Sequence, residues 1–96
     1  MNVNTDYSKI IVEYIEQHFP NAAIEQWEHE QRESINFKIL EGEKIYVLRV
    51  MTECLIDLSA SEVNIMLANY NVAQIIRDVG DFPVVVTNYG CIFGSP

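Results

Sequence analysis

Between Ser34 and Met51 the chain alternates and then turns back on itself, and that stretch restricts the fold more than any other. Ile35, Phe37 and Ile39 alternate with Ser34, Asn36 and Lys38, the period-two pattern of a strand with one buried face. Residues 45–51, Ile45-Tyr46-Val47-Leu48-Arg49-Val50-Met51, are apolar at every position but Arg49 and rich in β-branched and aromatic side chains, so they read as the central strand. The loop 41–44, Glu41-Gly42-Glu43-Lys44, sets the register. It puts Leu40 opposite Ile45, and counting outward pairs Ile39 with Tyr46, Phe37 with Leu48 and Ile35 with Val50. One face of the hairpin is then wholly apolar. The other sets Asn36 against Arg49, Lys38 against Val47 and Leu40 against Ile45, a mixed face that is either half covered or an association surface. A slip of one residue would bury Asn36 and Lys38 in the core, at a cost of about 1–3 kcal/mol for each unpaired polar group.

The remaining segments are arranged around this hairpin. Asn4 or Thr5 can cap a first helix over about 5–19, in which Tyr7, Ile10, Ile11, Tyr14 and Ile15 recur at helical spacing and which Pro20 ends. Residues 22–29 form an edge strand in which Ile24 and Trp27, three apart, share a face only through a bulge; Glu25 and Glu28 deter pairing at that edge. After the central strand, 52–58 is a connector or helical turn. Ser59-Ala60-Ser61-Glu62 has the form of a capping box before Val63, Met66, Leu67 and Tyr70. Asn71, with Gln74 three residues on, is a candidate cap for a further helix carrying Val72, Ile75, Ile76 and Val79, with Gly80 at its C-terminal end. Val84-Val85-Val86-Thr87 after Pro83 lacks alternation, as a strand covered on both faces would. Asn88-Tyr89-Gly90 turns the chain into an apolar tail, Cys91-Ile92-Phe93, and Gly94-Ser95-Pro96 reads as a vector-derived remnant. The expected fold is therefore a single α+β domain over 1–96 in the order αβββααβ. An antiparallel three-strand meander (22–29, 33–40, 45–51) plus a fourth strand, 83–87, packs against an N-terminal helix and a helix pair.

Composition limits the function classes. With 96 residues there is room for one core. No apolar run approaches the roughly 20 residues of a membrane span, so the chain reads as soluble, unexported and cytoplasmic. Cys54 and Cys91 share no metal-type spacing with each other or with His18 and His29, and are expected to be reduced. A net charge of −8, densest around the first two strands, repels phosphate backbones and argues against nucleic acid. The pair of short helices over 61–79 offers DNA only Gln74 and Arg77, with Asp78 beside them, and so reads as an ordinary helical layer.

The element order is similar to the αβββαβ core of restriction-endonuclease-like nucleases. That resemblance implies a metal held by an acid near the second strand and an acid-x-Lys triplet on the third. Here the nearest triplet is Asn36-Phe37-Lys38, with an amide in place of the acid and on the preceding strand, so the resemblance implies at most a relative without catalytic residues. Glu28-His29-Glu30 would point to opposite faces of a strand and cannot converge on a metal. No glycine-rich phosphate loop, GxSxG or HExxH is present. No cofactor, metal or catalytic residue is expected. The leading expectation is a small acidic module acting by protein contact, a regulator, inhibitor or export chaperone, homodimeric through the half-covered sheet face or the Cys91-Ile92-Phe93 tail. The alternative is a small-ligand-binding domain or minor enzyme with a pocket between sheet and helices, around Trp27, Tyr46, Tyr70 and Arg49. Trp27, Arg49, Tyr46, Tyr70 and Phe93 are the candidate contact residues. Arg49 is expected to pair with Glu33, Glu25 or another acid of the sheet face, or to receive a partner's carboxylate or a small anion.

Overall fold

A computed structural model describes residues 7–29, 34–56, 58–80 and 82–93, with the backbone alone for Glu28, His29 and Phe93. The expected caps at Asn4 and Thr5, residues 30–33 with the first position of the expected 33–40 strand, and the expected remnant 94–96 lie outside the described residues. The elements run α1 (Tyr7–His18), β1 (Ala23–His29), β2 (Ser34–Glu41), β3 (Lys44–Met51), a 3-10 turn (Thr52–Cys54), α2 (Ala60–Asn69), α3 (Val72–Val79), β4 (Val84–Thr87) and β5 (Gly90–Phe93). The fold is α+β: the described residues form three α-helices and one mixed five-stranded sheet in the order β1-β2-β3-β4-β5.

The central hairpin has the register that the apolar pattern dictates, Ile39 with Tyr46, Phe37 with Leu48 and Ile35 with Val50. Gly42 takes φ +62° while Glu43 keeps a negative φ, the arrangement of a hairpin turn with glycine at its first central position. β1 pairs antiparallel with β2 in unbroken register from Ala23 with Leu40 to His29 with Ser34, so the strand carries no bulge. Ile24 and Trp27 simply occupy opposite faces. β4 runs parallel to β3, placing Val85 beside Arg49, and the helix pair supplies the crossover that a parallel connection needs.

The apolar tail is a fifth strand. Val85 pairs with Ile92 and Val86 with Cys91 across a turn at Asn88-Tyr89, so β4 is interior to the sheet. Val84 and Val86 are buried beneath the helices, and the expectation that the strand is covered on both faces is not met. It is covered on one face only: Val85 is half-buried. Thr87 Oγ1 accepts from the Tyr89 amide at 3.0 Å and donates to the Gly90 carbonyl at 3.1 Å, closing the turn.

All the fully buried apolar side chains form one cluster between the sheet and the helices. Phe37, Ile39, Tyr46, Leu48, Val50, Val84 and Val86 enter it from the strands, Ile11, Tyr14, Ile15, Val63, Leu67, Val72 and Ile76 from the helices. Ser59 caps α2 as its capping box requires, its Oγ accepting from the Glu62 amide at 3.2 Å while Glu62 Oε1 accepts from the Ser59 amide at 2.8 Å. Asn71 does not cap α3 through its side chain. It stands at φ +57°, the left-handed turn between α2 and α3, which asparagine tolerates better than most residues. Gln74 donates instead to Asp78 at 2.9 Å.

Candidate functional site

Strand alternation sends every second side chain away from the helices, and no described element covers that second face. Its described side chains are Ala23, Glu25 and Trp27 of β1, Ser34, Asn36, Lys38 and Leu40 of β2, Ile45, Val47, Arg49 and Met51 of β3, Val85 and Thr87 of β4 and Ile92 of β5. Trp27, Ile45 and Ile92 are 42%, 52% and 56% exposed, while Leu40, Val47, Met51 and Val85 are half-buried. Seven apolar residues on a flat surface are more than a scatter of single exposed side chains.

One row of this face crosses all five strands: Trp27 beside Asn36, Asn36 beside Arg49, Arg49 beside Val85 and Val85 beside Ile92. Asn36 is the buried member, with no exposed surface. Its Oδ1 accepts from Arg49 Nε at 2.7 Å, and its Nδ2 donates to Ser34 Oγ at 3.3 Å and to the Trp27 carbonyl at 3.4 Å. Arginine Nε is a donor only, which fixes the amide orientation and leaves its NH2 facing two acceptors. The amide thus holds the guanidinium by one edge, and the four N–H groups on Nη1 and Nη2 meet no acceptor among the described residues. Arg49 therefore pairs with a neutral amide, and not with Glu25, which stands beside Lys38 one row away. Glu33 lies outside the described residues.

The other candidate contact residues are elsewhere. Tyr46 is on the helix side of the sheet, 4% exposed, its ring 5.6 Å from that of Phe19. Tyr70 ends α2 and lines a surface hollow of about 370 Å³ with Cys54, Leu58, Met66 and Asn88. Phe93 pairs with Val84 through the backbone. Trp27 and Arg49 are thus brought together, and Tyr46 and Tyr70 are separated from them by the sheet, so the expected pocket around all four does not form. Asn36 is the residue whose role the sequence understated: its place opposite Arg49 was legible, its complete burial was not.

No cluster of three or more His, Cys, Asp or Glu side chains could hold a metal among the described residues. Arg77, the cation of the helix pair, is engaged within the fold: it donates to both carboxylate oxygens of Glu41, at 3.1 and 3.3 Å, and to the His18 carbonyl at 2.9 Å, and lies 4.2 Å from the centre of the Phe19 ring. Burial raises the pKa of both thiols, Cys54 and Cys91, above the ordinary cysteine value, the reverse of what activates a nucleophile. No helix among the described residues is long and apolar enough to cross a membrane. Comparison with protein-family models, with curated proteins and with solved structures finds no match for this chain.

Proposed function

We propose that this protein works by protein contact, and that the uncovered face of its sheet is the contact surface. The observation that carries the reading is the sidedness of the sheet: helices fill one face, while the other presents Trp27, Ile45 and Ile92 to solvent around a hydrogen-bonded polar row. Trp27 leaves 42% of its surface in solvent, and tryptophan and arginine, here on either side of Asn36 in one row, are the residue types that dominate binding energy at protein interfaces. The large negative charge suits such a module, since it keeps a protein with an open apolar face from aggregating. Regulation, inhibition and escort of another protein are all served by a surface of this kind.

Site-specific photocrosslinking in the native cell tests it. A photoreactive residue at Val47 or Ile92, on the open face, should give discrete protein adducts, and the same residue at Ile65, exposed on α2, should not. Adducts from Ile65 alone, or from neither set, would sink the reading.

A further inference from the structure

We infer that the occupant of the open sheet face is an amphipathic helix of another protein whose apolar stripe carries one Asp or Glu, and that Arg49 receives this carboxylate through Nη1 and Nη2. The inference rests on the contact reading above and adds the chemistry of the partner.

Three observations lead to it. The first is the geometry of the guanidinium. Asn36 holds Nε at 2.7 Å, so the side edge of the arginine is occupied, while its end, with two parallel N–H vectors, meets no acceptor among the described residues. Two oxygens at carboxylate spacing match that end, and a neutral amide or hydroxyl does not. Asn36 is itself fixed by Ser34 and the Trp27 carbonyl, so the fork is held before anything binds. Val47 and Met51, two residues away on the same strand face, and Val85 across the pair give it apolar flanks, which a partner's apolar side chains would cover and dry.

The second observation is charge. The chain carries −8 overall, yet the described positions of the open face hold two cations, Lys38 and Arg49, against one anion, Glu25. A second copy seated face to face would bring like cations together between two chains of net charge −8. A helix with a carboxylate in its stripe meets the cations, and the rest of its surface is free to be basic, which the surrounding acid attracts. The face complements such a helix and opposes its own duplicate.

The third is backbone satisfaction. A segment lying on a sheet face, as distinct from a sheet edge, finds side chains there and no unpaired N–H or C=O groups. It must satisfy its own backbone, and a helix does so internally.

The test is selection of helical peptides from a randomised display library on the immobilised full chain, followed by titration of the selected peptides against the emission of Trp27, the only tryptophan. Selected sequences should carry Asp or Glu within an apolar stripe, and binding should move the emission to the blue as the indole is covered. Changing that acid to its amide should weaken binding on the order of tenfold or more. Arg49→Gln keeps an amide donor for Asn36, and should remove the difference between acid and amide peptides; Arg49→Lys keeps the charge without the fork and should recover only part of it. Peptides that shift Trp27 but bind equally as acid and amide would overturn the carboxylate assignment and leave the contact face standing. Peptides that bind without moving Trp27, and bind a Val47→Glu variant equally well, would overturn both. An unenriched library together with a scattering mass of two chains would put a second copy on the face and overturn the helix.

Discussion

The Tyr14 hydroxyl, on α1, accepts a hydrogen bond from the backbone amide of Ala73 at 3.0 Å, in the first turn of α3. The same hydroxyl donates to the Leu67 carbonyl on α2 at 3.3 Å. One phenol therefore ties all three helices together and supplies the N-terminal partner that Asn71 does not. Tyr14→Phe should cost about 1–3 kcal/mol, the price of leaving buried backbone groups unpaired. Asn71→Gly should be close to neutral, because its left-handed φ suits glycine and no side-chain cap is lost. Burial holds the Tyr14 pKa above its ordinary value, against the opposing effect of the Ala73 hydrogen bond. A raised folded-state value means that this contribution is complete below the unfolded tyrosine pKa of about 10 and is lost as pH rises through the folded one. Urea midpoints of wild type and Tyr14→Phe should therefore converge in strong alkali; a constant gap would contradict the assignment.

Much of this architecture was legible because period-two and helical patterns report which face is buried, and the 34–51 register follows from that pattern together with the loop at 41–44. Trp27 misled because an aromatic three residues from Ile24 suggested a shared face, when an ordinary strand puts the two on opposite sides. The fifth strand was hidden by its length: Gly90-Cys91-Ile92-Phe93 is too short to show a period, and only pairing with β4 makes it a strand. Tyr14 as a helix tie was illegible for a different reason. Its partners are backbone groups 53 and 59 residues away, which side-chain patterns do not encode.

The capping box of α2 yields a second prediction. Ser59→Ala should destabilise the fold by about 1 kcal/mol, within the range of roughly 0.5–2 for lost N-caps. The Ser59 amide and hydroxyl both hold the Glu62 carboxyl below its ordinary pKa. For a depressed carboxyl the contribution is present above the unfolded value of about 4.3 and is lost as pH falls through the folded one. Glu62→Gln should therefore flatten the acid limb of the stability profile, as followed by helix circular dichroism, and leave the neutral and alkaline parts parallel to wild type.

Cys54 should behave as a structural thiol. Its Sγ donates to the Met51 carbonyl at 2.9 Å and lies 3.8 Å from the Val86 carbonyl, linking the 3-10 turn to β4. Burial first, and the neighbouring Glu53 charge in addition, raise its pKa, while its own backbone hydrogen bond acts in the other direction. Modification by an aromatic disulfide reagent at mildly alkaline pH should be on the order of a hundredfold slower in the native protein than in urea, because the thiolate is scarce and access requires local opening. Rapid native labelling of a Cys91→Ala variant would show that the turn opens far more readily than its contacts imply.

The strongest coupling on the open face should be between Asn36 and Arg49. Asn36→Ala removes a fully buried acceptor and leaves Ser34 and the Trp27 carbonyl without the amide, so a loss of about 1–3 kcal/mol is expected. Arg49→Ala uncovers Asn36 Oδ1, which water can then reach because Arg49 is half-buried and faces solvent, so its cost should be smaller. The double variant separates the pair from the environment: a charge-assisted bond at 2.7 Å predicts a coupling energy of about 1 kcal/mol from urea unfolding. Residues stacked on one strand pair without a shared hydrogen bond would give additive losses instead. The sign also matters for binding, since an arginine that contributes little to stability and yet is held by a buried amide is one whose remaining donors are available to another molecule. A coupling near zero would mean that Arg49 swings free of Asn36 in solution, and the fixed fork on which the partner assignment depends would not exist.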